Sequence, residues 1–222
     1  MLIRRQLRVF YRISLDSAWL RQACRGRGLW DNRRNLRRIP GNMATINMLN
    51  EGELQQHREL GIPADYGRGK CLPYYREATE LVDVGPNLVG RLQRLTPDAA
   101  ASWQQMVQAA AGDGVQLMIV SGFRSFGYQA ELIRKKLAAG QKIGEILTVN
   151  AAPGFSQHHT GTAVDVATPG SRPLTEEFEH SDAFKWLSDR AIDHAFSLTY
   201  PRGNRFGFIY EPWHWAIGNE QD

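Results

Sequence analysis

Residues 156–167 read SQHHTGTAVDVA, and how this stretch is read decides the fold. TAVDVA, residues 162–167, alternates as a strand should. A loop rich in Pro, Gly and His, residues 148–161, leads into it. Gly161 at the junction lets the backbone approach closely. His158 and Asp165 therefore stand seven residues apart across a loop-to-strand boundary, with Asp165 pointing from one face of the strand.

Working outward, QLMIVSG (116–122) reads as a short buried strand. Before it, Thr96 is an N-cap and Pro97 a first helical residue, opening AAASWQQMVQAAA, which ends near Gly112 and Gly114. After it, Ser125 opens a second helix, FGYQAELIRKKLAAG, closed by Gly140. Near the start, Asn50 with Glu53 forms a capping-box pattern for a short helix closed at Gly61. Residues 61–79 read as an ordered loop, and ELVDV and NLVGRL within 80–95 as short strands. Downstream, Ser181 caps DAFKWLSDRAIDHA, FSLTY is a strand and PRGN a turn. FGFIYEPWHWAIG is a final aromatic strand, with Pro212 tolerable at an edge or bulge. Helices of unequal length separate the strands without a βαβ rhythm. The fold class expected is α+β, a small mostly antiparallel sheet covered by helices with one metal site in a cleft.

A catalytic zinc site takes three protein ligands, His nitrogens and carboxylate oxygens, and keeps one open position. His158, Asp165 and His214 supply such a set, and Glu211 precedes His214 by three residues. Singly each is weak, because a lone His or Asp usually serves a local role. Their combination is far more specific. Cys24 and Cys71 form no C-x-x-C pair, so cysteine ligation is unsupported.

SQHHTGTAVD at 156–165 resembles the S-x-H-x-x-G-x-A-x-D signature of the D-alanyl-D-alanine carboxypeptidase metallopeptidases. EPWH at 211–214 resembles their E-x-W-H signature, and SGFRS at 121–125 their S-G-Y-R-S segment. The three stand in the family's order, and the similarity covers roughly residues 71–218. The family is related to endolysin peptidases, lysostaphin-type enzymes and the hedgehog domain. The resemblance implies zinc held by His158, Asp165 and His214, with Glu211 as general base. It implies that Arg124 stabilises the charged intermediate, Ser156 binds the substrate's terminal carboxylate, and Gln129 contacts substrate. These roles suit the chemistry: zinc acidifies water, a carboxylate accepts its proton, and a fork of donors steadies an oxyanion.

His159 competes with His158, but only His158 has the motif's spacing to Gly161 and Asp165; His159 is expected to line or support the site. Trp213 and Trp215 are expected in the core, and His57, His180 and His194 are read as structural. Ala216 stands where a basic residue is expected soon after the final histidine, which puts a substrate contact there in doubt.

The charge is uneven. Residues 1–42 hold eleven Arg, no Lys, Asp16 and Asp31, a net +9; the other 180 residues hold 16 basic and 21 acidic residues, a net −5. The domain division expected is an Arg-rich leader, 1–42, outside the folded unit, and a catalytic domain, 43–222, with Met43 as an alternative start. The leader lacks the apolar core and cleavage site of a signal peptide, so a cytoplasmic location is the default expectation, with export by another route left open. No 18-residue apolar run is present, so no transmembrane segment is expected. The expected partners are peptidoglycan stem peptides, with a monomer and no nucleic acid. The function expected is removal of terminal D-alanine as a D,D- or L,D-carboxypeptidase. The alternatives are an endolysin-type endopeptidase, whose cleft would be open, and a non-catalytic zinc-containing wall-peptide binding module, for which Glu211 has no use. Residues 61–79 and 168–180 are expected to shape the cleft's end.

Overall fold

The computed structural model describes residues 49–67 and 72–218. The proposed 1–42 leader, the alternative start at Met43, Cys24 and Cys71 lie outside the described residues.

Helix α1, Glu51–Glu59, begins with a complete capping box: the Asn50 side chain accepts from the Glu53 amide while the Glu53 carboxylate accepts from the Asn50 amide. β1 (Val82–Pro86) and β2 (Leu92–Leu95) pair as a separate two-stranded antiparallel ribbon. Helix α2, Pro97–Gly112, starts at Thr96, whose backbone is extended but whose side chain makes no capping bond. β3 (Met118–Ser121) leads to α3 (Phe126–Ala138), capped by Ser125 Oγ accepting from the Tyr128 amide. Helix α4 (Ile143–Val149) carries no start signal: Lys142 is its N-cap and offers no side-chain acceptor. Then come a 3₁₀ turn at Gln157–Thr160, β4 (Ala163–Ala167), a second 3₁₀ turn at Glu176–His180, α5 (Asp182–Arg190) capped by Ser181, β5 (Phe196–Leu198) and β6 (His214–Ile217).

The main sheet has four strands in the order β3-β4-β6-β5, all antiparallel. The α+β architecture with a small antiparallel sheet is therefore as expected. β4 sits inside the sheet, and all five of its residues are buried. Its sequence alternates, but both faces are covered. Val164 and Val166 enter a core with Trp103 and Met106 of α2, Trp186 and Leu187 of α5, and Trp215 of β6. Asp165 lies between them in sequence and so faces the opposite side. A second apolar cluster, with Ala130 and Ile133 of α3, Ile146 and Leu147 of α4, Phe155, Tyr200 and Phe208, is the other hydrophobic mass of the domain.

Two expectations about the C-terminal segment are corrected. The strand comprises only His214–Ile217, and residues 206–213 are irregular. β6 is an inner strand between β4 and β5, so Pro212, which cannot donate to a ladder, lies ahead of it instead of at an edge. Among the described residues no helix is long and apolar enough to cross a membrane.

Candidate active site

Three adjacent strands bring the site together. Asp165 of β4 has Ser121 of β3 as its register partner on one side and His214 of β6 on the other. His158 comes from the 3₁₀ turn that precedes β4. That turn ends at Gly161 in the left-handed region, φ 67°, which favours glycine. A Cβ there would also meet Leu81, Thr96 and Ala78 at 3.0–3.3 Å. The His158 carbonyl accepts from the Arg124 amide at 3.1 Å, tying the turn to the segment after β3.

One ligand atom from each of His158, Asp165 and His214 lies within 4.8 Å of the others, and all three residues are buried. The hydrogen bonding fits a cation. His158 Nδ1 is 2.7 Å from the Gly122 carbonyl oxygen, which can only accept, so Nδ1 carries the proton and the Nε2 lone pair faces Asp165 Oδ2 at 3.3 Å. Burial, then the Arg124 charge, push the His158 pKa down to about 4 against the pull of Asp165, which keeps the imidazole neutral as a ligand must be. His214 Nε2 lies 2.9 Å from Gln157 Oε1; with the proton placed there, the Nδ1 lone pair faces Asp165 Oδ1 at 3.0 Å. Two imidazole lone pairs therefore converge on a carboxylate. Burial would raise the Asp165 pKa, but the positive charge beside it, including the paired Arg124 guanidinium, outweighs burial and holds the carboxyl well below its ordinary range. This is the donor chemistry of a His₂-carboxylate zinc site. Gln157 and Gly122 supply the outer partners that fix such rings.

The three side chains open onto a cleft of about 440 Å³ that is also lined by Glu211, Arg124, Ser156 and Gln129. The structure thus gathers every residue singled out for chemistry in the sequence. Burial, then the nearby Asp165 charge, raise the Glu211 pKa to about 8. Arg124 pairs with Asp165 and donates from Nε to Ser121 Oγ at 2.8 Å. Gln129 is buried; its Nε2 donates to the Ala151 carbonyl at 2.8 Å, and its Oε1 has no hydrogen-bond partner among the described residues.

Other cleft residues belong to none of the sequence motifs. Lys136, at the far end of α3, lines the cleft and donates to Asn150 Oδ1; burial and Arg124 lower its pKa. Its helical spacing from Gln129 and Leu132 could have suggested a common face. The Tyr200 ring lies tilted against the His214 ring, with centroids 4.8 Å apart. Val149, Asn150, Phe208, Ile209 and Leu174 also line the cleft. Residues 168–180 thus contribute Leu174, while the described part of 61–79 contributes nothing.

His159 does not line the cleft. It is fully buried, contacts the Arg124 carbonyl oxygen through Nδ1 at 2.6 Å, accepts from the Gly154 amide at 3.0 Å, and stacks on Phe126. It supports the loop behind the site. Trp215 is a core residue as expected, whereas Trp213 both joins the core and lines the cleft. His57 is structural, bonding the Pro153 carbonyl at 2.8 Å. His194 stacks on Trp186, but His180 is a surface residue, its side chain 79% exposed.

The model of the VanY D-alanyl-D-alanine carboxypeptidase family matches residues 92–218, more than half of the chain, and the chain belongs to that family. YodJ of Bacillus subtilis is 32% identical over 153 residues, 65% of this chain and 55% of that protein. A D-alanyl-D-alanine carboxypeptidase of Enterococcus faecalis is 30% identical over 122 residues, 50% of this chain and 44% of that protein. The chain thus spans about half the length of these curated relatives. Among solved structures, the LdcB LD-carboxypeptidase superposes with a TM-score of 0.57 at 30% identity, covering 65% of this chain and 71% of that one. The vancomycin-resistance D,D-pentapeptidase VanY, solved as a variant in complex with Zn(II), superposes with a TM-score of 0.51 at 25% identity, covering 66% and 82%.

Proposed function

We propose that this chain is a zinc-dependent carboxypeptidase that hydrolyses the terminal D-alanine from peptidoglycan stem peptides. The observation that carries this reading is the convergence of the His158, Asp165 and His214 ligand atoms within 4.8 Å of one another in a cleft that also holds Glu211 and Arg124. Membership of the D-alanyl-D-alanine carboxypeptidase family supports the substrate class.

His158, Asp165 and His214 are the zinc ligands. Held there, zinc would supply Lewis acidity and bring the pKa of water to about 7. Glu211 is the general base: it takes the proton of the attacking water and passes it to the leaving amine. A cation held beside it would lower its raised pKa and leave a carboxylate able to accept a proton at neutral pH. Arg124, released from Asp165, turns its donors to the oxyanion. Ser156 and Lys136 provide a hydroxyl and a cation for the substrate's terminal carboxylate, and Gln129 Oε1 accepts from a substrate amide.

The test is mass spectrometry of tetrapeptide and pentapeptide muropeptides incubated with zinc-loaded protein. Loss of one alanine from the pentapeptide defines a D,D-carboxypeptidase, and loss from the tetrapeptide an L,D-carboxypeptidase. Release of an internal fragment instead would establish the endopeptidase, and no cleavage of either would overturn the enzymatic reading.

A further inference from the structure

A second pocket adjoins the catalytic cleft and shares three of its lining residues, Val120, Ser121 and Tyr128. It encloses about 300 Å³ between the β1–β2 ribbon and the start of α3, and Arg91 and Arg94 stand in its wall. Ser121, common to both spaces, is the register partner of Asp165. The second pocket therefore opens beside the reacting centre, across the end of β3.

Both guanidinium groups are held in place. Arg91 donates from Nη1 to Tyr128 Oη at 2.8 Å and lies 5.1 Å from that ring's centroid. Arg94 lies 5.7 Å from the centroid of Phe123. Their backbone is locked to the segment after β3. The buried Gln93 side chain donates to the Arg91 carbonyl at 3.0 Å and accepts from the Gly122 amide at 3.0 Å, and the Phe123 amide donates to the Arg94 carbonyl at 2.8 Å. A Cβ on Gly122 would sit 2.7 Å from that carbonyl oxygen, so only glycine permits this approach. Asp83 is the register partner of Arg94, yet among the described residues no ion pair involves Arg91 or Arg94. Two arginines, oriented by aromatic rings on a fixed ribbon and not neutralised by a carboxylate, are suited to an anionic ligand.

We infer that the Arg91–Arg94 pocket is a substrate subsite that binds a carboxylate on the N-terminal side of the scissile bond. The inference rests on the carboxypeptidase reading. In such a reaction the substrate extends only one residue past the bond that breaks, and that residue occupies the cleft. Whatever enters an adjoining pocket must belong to the upstream part. The ligand class is a peptide bearing a side-chain or branch carboxylate upstream, which the γ-linked glutamyl residue of a wall stem peptide supplies.

The test uses full-length zinc-loaded protein, wild type and the double variant R91Q/R94Q. Three substrates are compared: a stem pentapeptide with the glutamyl carboxylate, the same peptide with that carboxylate amidated, and a short acyl-Lys-D-Ala-D-Ala lacking it. Wild type should show a KM about two- to fivefold lower for the acid than for the amide, a difference typical of exposed charge pairs that shrinks with added salt. The double variant should erase that difference, with kcat unchanged on all three substrates. An equal change on all three, or no change on the acid, overturns the subsite. Calorimetric titration of the acid and amide peptides separates this from the carboxypeptidase reading. Preferential binding of the acid by wild type but not by R91Q/R94Q supports the subsite even where no alanine is released. Equal binding of acid and amide overturns it.

Discussion

Nδ1 of His214 lies 3.0 Å from Oδ1 of Asp165, and the two residues are direct partners across the β4–β6 ladder. Facing side chains in an antiparallel pair have Cβ atoms about 5 Å apart, so the sheet itself sets the spacing of two proposed ligands. His158 completes the set from a turn pinned by Gly161. The purified protein should therefore bind about one zinc per chain. His158→Ala and His214→Ala should each lose tight binding, measured by elemental analysis after dialysis. Full retention of zinc in both variants would refute the ligand assignment.

Glu211→Gln tests the base. The amide keeps the shape but cannot accept a proton, so zinc content should be preserved while kcat falls by about 10²–10⁴-fold. A fully metallated variant with near-normal turnover would place the base elsewhere.

The same substitution has a pH signature in protein stripped of metal by chelation. The Glu211 pKa is about 8 in the fold against an ordinary 4.5, so the fold favours the protonated form. Its stability is unaffected below pH 4.5, declines as pH rises towards 8, and is constant above that. Glu211→Gln escapes the decline and should be more stable than wild type by roughly 2–4 kcal/mol at pH 8.5, with no difference near pH 4. His158, whose pKa is lowered to about 4, produces the opposite trend, stability lost as pH falls below 6.5. It does so in both proteins and cancels from the comparison. Equal denaturation midpoints for the two at pH 8.5 would show that Glu211 is not desolvated.

Ser156 and Lys136 together predict exo-cleavage. A substrate carboxylate entering the cleft loses water, and leaving it unpaired costs several kcal/mol. One stem peptide should be hydrolysed as the acid and resisted as the C-terminal amide. Lys136→Met and Ser156→Ala should each weaken that preference about tenfold or more. Equal rates on acid and amide would favour an endopeptidase.

Gly161→Ala tests the turn that carries His158. The left-handed backbone and contacts of 3.0–3.3 Å from three side chains to a Cβ should cost about 1–3 kcal/mol, read as a lowered thermal midpoint. An unchanged midpoint would mean the loop relaxes freely.

The proposed metal ligands, base and arginine are legible in the sequence because their motifs combine residue type with spacing. His158 to Asp165 spans one turn and one strand entry, and such short-range geometry is encoded locally. The capping residues Asn50, Ser125 and Ser181 are legible for the same reason, since a cap bonds within three residues of itself. α4 is not, because Lys142 offers no acceptor and its helix is held by the burial of Ile146 and Leu147. The extent of the last strand is also hidden, because aromatic residues suit both a strand and the irregular wall that 206–213 builds.

The sequence alone determined the class of chemistry: which side chains could hold a metal, which could take a proton, and that an antiparallel sheet would present them. Tertiary structure decided what surrounds them. Only folding brings Lys136, Asn150, Tyr200 and Leu174 to the same cleft, buries Glu211 until its pKa approaches 8, turns His159 inward to support the loop, and docks the Arg91–Arg94 ribbon beside β3. Each of these depends on burial or on contact between residues distant in sequence. Neither quantity is a property of any local stretch of chain.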